Sequence, residues 1–145
     1  WHISGGPVKE EMQSIHILQV FGSLDAGGAE SRMMDVYRNI DRNRYDFDFL
    51  TMSEGDQYYI HEITALSGKV ITVRPPRKSG ILSNFVTLYR VIRNGRYDAV
   101  HAHTSFHCGV VMLAASLAGV GVRISHSRTT GSSNTSARSR LSLFR

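Results

Sequence analysis

The chain has 145 residues, of which 41% are hydrophobic and 20% are charged. This length can bury one hydrophobic core and predicts a single domain. Cys108 is the only cysteine, which excludes an intramolecular disulfide framework. The longest apolar run, from Cys108 to Val122, is interrupted by glycines and shorter than the about 18 to 20 residues that a membrane-spanning helix needs. The composition therefore excludes disulfide-rich and membrane-spanning classes of protein.

Charge is unevenly distributed along the chain. The formal net charge is +5, and residues 99–145 contain five arginines and no acidic residue, so this last third carries the whole excess. Such an asymmetry predicts an anionic partner near that end, or acidic residues supplied by another part of the protein. Arg138, Arg140 and Arg145 alternate with apolar residues and are candidates for contact with an anionic membrane surface. The alternative is that the apolar residues pack on another domain and the arginines are solvated.

Strand-like and helix-like patterns alternate from residue 13 onward. Residues 1–12 show neither period and are expected to be an extension or a cloning remnant outside the domain. Gly68 is expected to end the second helix, and Pro75-Pro76 to allow neither a strand nor an immediate helix. The predicted elements are strands at about 15–21, 45–52, 69–73, 97–103 and 122–127, and helices at about 29–40, 57–68, 81–95 and 107–118. The helix at 107–118 is apolar nearly all round and is predicted to be deeply packed.

This order predicts an α/β fold with a doubly wound, mainly parallel, Rossmann-like sheet of about five strands. In such sheets ligands bind outside the carboxyl ends of the strands, where the strand order reverses. Three loops are therefore candidates for a site, namely residues 22–28, residues 103–107 and the segment from Ser127 onward.

The first of these loops contains a glycine pair. Gly27 and Gly28 allow a positive φ and a close approach of a ligand to the backbone, and the helix that follows offers unpaired N–H groups to an anion. The alternative is a pair that serves only a tight turn. Glu30, in the first helical turn, is expected to complement the helix dipole. The spacing matches neither the dinucleotide-binding fingerprint nor the P-loop.

Histidines follow or occupy the later strands. His101, His103 and His107 suggest a zinc site, but no Cys, Asp or Glu lies near them in sequence, so we predict no metal. His103 ends its strand and is expected to point into the crevice. His126 ends the last strand and could move a proton or bind a hydroxyl, or could simply be a hydrogen-bonded strand end. Ser127 and Arg128 follow it, and Arg128 could hold a phosphate.

Two segments together resemble a known family. They are "ILQVFGSLDAGGAESRMMDVYRNIDRNRYDFDFLT" and "YDAVHAHTSFHCGVVMLAASLAGVGVRISHSRTT", which contain a GGAE loop, a D-x-V-H-x-H strand and an I-x-H-S strand in this order. The chain resembles the amino-terminal, acceptor-side domain of a family 4 glycosyltransferase with the GT-B fold, of the bacterial capsular or exopolysaccharide type.

The resemblance implies two Rossmann-like domains that face a cleft, the first for a glycan or lipid-linked acceptor and the second for a nucleotide-sugar donor. It also implies retention at the anomeric carbon, with no cofactor and usually no metal. In this family Gly27 and Gly28 would lie against the donor diphosphate or the acceptor, and Glu30 belongs to the same motif. His126 would be the catalytic residue at the acceptor hydroxyl, and His103 would line the cleft.

The second domain, with its E-x7-E element, is not present in this sequence. The domain at residues 13–145 is therefore expected to be inactive alone, and the enzyme to be cytoplasmic or peripheral at the inner face of the plasma membrane. Two alternatives are a nucleotide-dependent oxidoreductase domain and a basic, non-enzymatic nucleic-acid-binding module. The first lacks the glycine fingerprint, and the second lacks aromatic residues between its arginines, so no nucleic-acid partner is predicted.

Overall fold

The fold is a five-stranded, fully parallel sheet with helices on both faces. The computed structural model describes residues 13–104 and 107–126. The strand order is β3-β2-β1-β4-β5. The strands are β1 (Ile15–Phe21), β2 (Tyr45–Thr51), β3 (Lys69–Thr72), β4 (Ala99–Ala102) and β5 (Val122–Ser125). This confirms the predicted doubly wound α/β architecture.

The helices form two layers that bury different residues of the same strands. They are α1 (Gly28–Asn39), α2 (Ile60–Ala65), α3 (Pro76–Ser79), α4 (Ile81–Gly95) and α5 (Cys108–Leu117). Met34 and Tyr37 of α1 pack with Phe21 and Phe49 of the sheet, together with Ile63 of α2. On the other face, α4 and α5 pack on a second cluster that includes Leu18, Val20 and Val100.

The central strands bury side chains on both faces because helices cover both sides of the sheet. In β1, Leu18 and Val20 belong to the α4–α5 cluster, whereas Phe21 belongs to the α1–α2 cluster. All three side chains are fully buried. Successive strand residues point to opposite faces, so one strand contributes to both cores and holds the two layers together.

Two predicted boundaries are wrong, each for a local reason. Helix α3 begins directly at Pro76, the first helical position, where the missing N–H of proline would have had no helical partner anyway. Helix α2 ends with Leu66 as its C-cap, and Ser67, with φ of 64°, adopts the left-handed conformation expected of Gly68. Gly68 is needed for another reason, since a Cβ there would lie 2.7 Å from Ile63 Cγ2 and 3.0 Å from the Ile63 carbonyl oxygen.

Helix α5 is only partly buried, which corrects the prediction of deep packing. Val111, Ala114 and Ala115 are buried, but Leu113 and Leu117 are exposed. The adjacent end of α4 is also apolar and exposed, since Ile81 is 68% and Leu82 76% accessible. An open groove between the two helices is lined by Ile81, Leu82, Phe85, Val110 and Leu113, which we call the α4–α5 apolar patch. Among the described residues, no helix is both long and apolar enough to cross a membrane.

A polar network closes the amino-terminal edge of the sheet. The carboxylate of Asp48 on β2 is buried and accepts a hydrogen bond of 2.7 Å from the Tyr97 hydroxyl. His16 Nε2 lies 3.3 Å and Lys69 Nζ 3.6 Å from the same carboxylate oxygen. Burial, and then the hydrogen bond to Asp48, raise the pKa of Tyr97 well above its ordinary value, so the phenol stays protonated and donates.

We expect Tyr97→Phe to destabilise the domain by about 1 to 3 kcal/mol, because it leaves a buried carboxylate without its best donor and preserves the ring packing. Urea unfolding of the wild type and the variant would measure the difference. Tyr58→Phe is the control, since Tyr58 is 68% exposed and its substitution should leave the midpoint unchanged. Equal midpoints for Tyr97→Phe and Tyr58→Phe would show that the Asp48 network does not stabilise the fold.

Candidate functional site

The candidate site lies at the carboxyl edge of the sheet, where the strand order reverses. From β1 the chain proceeds to β2 and β3 on one side, and then returns to place β4 and β5 on the other side of β1. The chain therefore leaves the adjacent strands β1 and β4 in opposite directions along the sheet. This leaves a crevice between them, which is the position where open parallel sheets bind ligands.

The glycine pair lies at the amino terminus of α1, as predicted. Gly27 is the N-cap in an extended conformation, with φ of −118°, and its carbonyl accepts a hydrogen bond of 2.9 Å from the Ser31 N–H. Neither Gly27 nor Gly28 is among the described glycines with positive φ, so this turn does not use the conformation that glycine allows. A Cβ at Gly28 would meet no described atom within 4 Å. Packing within the described part of the chain therefore does not require glycine at position 28.

Glu30 turns back toward the glycine pair. Its carboxylate lies against the Cα of Gly27, so that a Cβ built there would collide with Glu30 Oε2. Helix α1 has no side-chain cap at its N-cap residue, and Glu30 is the acidic residue of its first turn. The negative charge at the positive end of the helix dipole fits the predicted complementing role. Since the end of a carboxylate side chain is easily displaced, this position could open to an incoming anion.

Gln57 holds the loop after β1 in place. Its Oε1 accepts hydrogen bonds from the Leu24 N–H at 2.6 Å and from the Thr51 hydroxyl at 2.7 Å. Its Nε2 donates to the Ser53 carbonyl at 3.0 Å, and the residue is only 3% exposed. One buried amide thus joins the loops that follow β1 and β2. The presentation of the glycine pair depends on this connection.

Three histidines come together on the other side of the crevice. His101 lies within β4 and His103 directly after it, and β5 is in register with β4 so that Ala102 is opposite Ser125. The His126 N–H donates to the Ala102 carbonyl at 2.9 Å, which continues the ladder and brings His126 beside His103. The ring centroids of His101 and His103 are 3.9 Å apart, and each lies 5.8 Å from the His126 ring.

The ring of His103 is fixed by two residues of β1. Phe21 stacks on it with a centroid distance of 4.4 Å and an interplanar angle of 5°. His103 Nε2 lies 3.1 Å from Oε1 of Gln19, a buried amide, which favours the tautomer with the proton on Nε2. His103 is therefore oriented by its neighbours, whereas His126 is exposed at the end of β5.

His107 is directed away from the other histidines. Its Nε2 hydrogen-bonds Asn84 Oδ1 at 2.8 Å, and Asn84 donates to the Arg74 carbonyl at 2.9 Å. Burial lowers the pKa of His107, so the neutral ring donates to the Asn84 oxygen. His107 is therefore not grouped with His101 and His103 in the structure. The third member of the cluster is His126.

Some predicted positions lie outside the described residues. These are Ser127, Arg128, Arg138, Arg140, Arg145 and the segment 1–12. The predicted residues within the described part all follow strands at the carboxyl edge of the sheet, with Gly27, Gly28 and Glu30 after β1 and His103 and His126 directly after β4 and β5.

Sequence reasoning missed Gln19 and Gln57. A polar residue within the apolar run of β1 was a visible signal for Gln19, because a buried amide must find hydrogen-bond partners. No local signal marks Gln57, since its function depends on the proximity of two loops. Chemically, the amino terminus of α1 can bind an anion, and the imidazoles at the ends of β4 and β5 can bind a hydroxyl or move a proton near neutral pH.

Comparison with known proteins identifies a family. The model of Glycosyltransferase Family 4 matches residues 26–143. The chain is 40% identical over 115 residues to the protein named glycosyltransferase EpsF of Bacillus subtilis (strain 168), covering 79% of this chain and 30% of EpsF. It is 28% identical over 117 residues to the capsular polysaccharide biosynthesis glycosyltransferase CapH of Staphylococcus aureus, covering 80% of this chain and 31% of CapH. The chain thus spans less than a third of the length of these two relatives.

A solved structure has a similar fold. The crystal structure of MurG from Acinetobacter baumannii matches with a TM-score of 0.58 and 17% sequence identity, over 89% of this chain and 39% of MurG. At this identity the similarity supports the architecture alone. It agrees with the Rossmann-like half of a GT-B fold.

We expect Gln57→Leu to lower the free energy of unfolding by about 1 to 3 kcal/mol, because the Leu24 N–H and the Thr51 hydroxyl would lose their buried acceptor. Thermal or urea denaturation would measure the loss. Gln13→Leu is the matched control at an exposed position before β1. A Gln57→Leu variant as stable as Gln13→Leu would show that the amide does not hold the two loops together.

Proposed function

The chain belongs to Glycosyltransferase Family 4, and from this premise we propose that it is the acceptor-side domain of a retaining enzyme that transfers a sugar from a nucleotide-sugar. The acceptor is a glycan or a lipid-linked glycan of a bacterial surface polysaccharide. The similarity to CapH, a capsular polysaccharide biosynthesis glycosyltransferase, supports this substrate class. A second, donor-binding domain completes the enzyme. The family match favours this function over the oxidoreductase and nucleic-acid-binding alternatives.

The observation that carries the proposal is the position of His126. The residue is exposed at the carboxyl end of β5 and lies beside the oriented ring of His103. A neutral imidazole there can accept a hydrogen bond from the acceptor hydroxyl and take up its proton as the new glycosidic bond forms. His103, stacked on Phe21 and bonded to Gln19, lines the same crevice and restricts where the acceptor can lie.

The glycine pair provides the opposite wall of the crevice. An anionic group, either the donor diphosphate or a charged group of the acceptor, would approach the amino terminus of α1 at Gly28. Absence of a side chain at position 28 keeps this approach open, and the described packing does not otherwise need glycine there. Ser127 and Arg128, which follow His126 in the sequence, would add a hydroxyl and a guanidinium for the same ligand.

We expect two substitutions to impair transfer in the protein that includes the donor-binding domain. His126→Ala should lower kcat/KM by more than about tenfold, because the acceptor hydroxyl loses its hydrogen-bond and proton acceptor. Gly28→Ala should reduce the rate without lowering the melting temperature, since the added methyl group meets the ligand and not the protein. The measurement is initial velocity with nucleotide-sugar and acceptor, together with a melting curve for each variant.

Asn43→Ala is the control for both substitutions, because Asn43 is exposed in the turn before β2, at the opposite edge of the sheet. A His126→Ala enzyme with the velocity of Asn43→Ala would remove His126 from the reacting centre. Full activity of Gly28→Ala would similarly remove the glycine pair from the ligand site.

We also propose that the cytoplasmic enzyme works at the inner surface of the plasma membrane, where a lipid-linked acceptor would be located. Two exposed side chains support this location, Ile81 at 68% and Leu82 at 76% accessibility, because large apolar side chains insert readily between lipid headgroups. Arg77 of α3 lies four residues before Ile81 and could contact acidic lipids, whereas Lys78 is ion-paired with Glu54. Arg138, Arg140 and Arg145 would extend the basic surface.

We expect the 145-residue chain to co-sediment with vesicles that contain acidic phospholipid, and more weakly with neutral vesicles. Substitution of both Ile81 and Leu82 by serine, or of Arg138, Arg140 and Arg145 by serine, should reduce binding to the acidic vesicles. Tyr58→Ser is the control, since Tyr58 is equally exposed but lies before α2. Equal recovery with both lipids at low salt would contradict a membrane location.

A further inference from the structure

We propose that His101, His103 and His126 form a binding site for one divalent transition-metal ion of the Zn²⁺ type. One ring nitrogen from each of the three residues lies within 4.8 Å of the other two. This site goes beyond the proposed sugar transfer and does not depend on it.

The spacing of the nitrogens is close to that of a bound metal. Zinc lies about 2.0 to 2.1 Å from imidazole nitrogens, which places the nitrogens of a tetrahedral site about 3.3 Å apart. Nitrogens that already lie within 4.8 Å of one another are close to this distance. Because Phe21 and Gln19 hold the His103 ring, we expect rotations of the His101 and His126 side chains to complete the approach.

Backbone hydrogen bonds to the sheet hold the ligands, one of which lies within β4 and two directly after β4 and β5. His101 is within β4, and its neighbour across the sheet is Ile124 of β5. The N–H of His103 donates to the Val20 carbonyl at 2.8 Å, and that of His126 to the Ala102 carbonyl at 2.9 Å. Ligands on strands are placed more precisely than ligands on loops, which reduces the entropy lost when the metal binds.

Gln19 provides the support that metal-binding histidines usually have. Such histidines donate their second ring N–H to an oxygen, which fixes the tautomer and the ring plane. His103 Nε2 lies 3.1 Å from Oε1 of Gln19, a side chain with only 2% exposure. With the proton on Nε2, the lone pair for a metal is on Nδ1.

The ligand set determines the class of ion. Three neutral imidazoles suit Zn²⁺, Co²⁺, Ni²⁺ or Cu²⁺, whereas Mg²⁺ and Ca²⁺ require oxygen ligands. Three histidines leave the fourth tetrahedral position for water or another oxygen ligand. The expectation of no metal rested on the absence of a third ligand near His101 and His103 in sequence, and the strand register supplies that ligand as His126.

Occupancy by a metal has a consequence for the proposed function. The ion would engage His126, which was proposed above to bind the acceptor hydroxyl, so metal and acceptor would compete for this ring. Only this consequence rests on the proposed function.

The test is a titration of the 145-residue chain, stripped of metal with a chelator, with Co²⁺ followed by visible absorption and with Zn²⁺ followed by calorimetry. We expect one ion per chain and the intense absorption of tetrahedral Co²⁺. His101→Gln and His126→Gln should each weaken binding by at least about tenfold. His61→Gln, at an exposed histidine on α2 outside the cluster, should bind as the wild type does. Mg²⁺ should not displace Co²⁺.

His126→Gln also addresses the possibility of misfolding, because His126 is exposed at a strand end and its loss removes no core packing. Far-ultraviolet circular dichroism would verify the fold of each variant. The proposal is overturned if the wild type shows no saturable Co²⁺ spectrum, or if folded His101→Gln and His126→Gln variants bind metal as tightly as His61→Gln. Activity assays enter neither criterion, so failure of the sugar-transfer proposal would leave this result interpretable.

Discussion

The parallel arrangement of the strands is the constraint on which the rest of the structure depends. Each parallel connection returns the chain to the same edge, so the carboxyl ends of all five described strands meet there. The reversal of strand order between β1 and β4 then opens a crevice at that edge. Residues separated by about a hundred positions, Gly28 and His126, lie at the same edge of the sheet for this reason. The opposite edge is closed by the Asp48 network.

The two walls of the crevice are held by different means. On the β1 side, the buried amide of Gln57 connects the loops that follow β1 and β2. The position of the glycine pair therefore depends on the hydrogen bonds of this amide. On the other side, the sheet ladder itself positions the histidines, and Gln19 and Phe21 set the orientation of His103. Both walls thus use a polar side chain buried in an apolar environment, where hydrogen bonds are strong and their loss is costly.

The order of the elements was predictable because strand and helix periods are local properties. β1 and β5 illustrate this, since alternation and apolar runs mark them directly. The start of α3 at Pro76 was not predictable, because it depends on the fit of one turn. The exposure of Leu113 was not predictable either, because it depends on what covers the helix. The proximity of His126 to His101 depends on strand register, which one sequence does not reveal. The position of each histidine along its strand, in contrast, could be predicted from the sequence.

Sequence separation across the sheet has a consequence for how the domain assembles. The hydrogen bonds between His16 and Asp98, at the start of β1 and β4, join residues 82 positions apart, whereas β1 and β2 are connected through a single helix. Closing the longer loop loses more chain entropy, and contacts between distant residues form slowly. The crevice exists only after β1 and β4 have paired. A folding intermediate that contains only β1, α1 and β2 would have an apolar core and the glycine pair but no second wall. The capacity to bind a ligand therefore arises when β1 pairs with β4, the step of folding that joins residues far apart in the sequence.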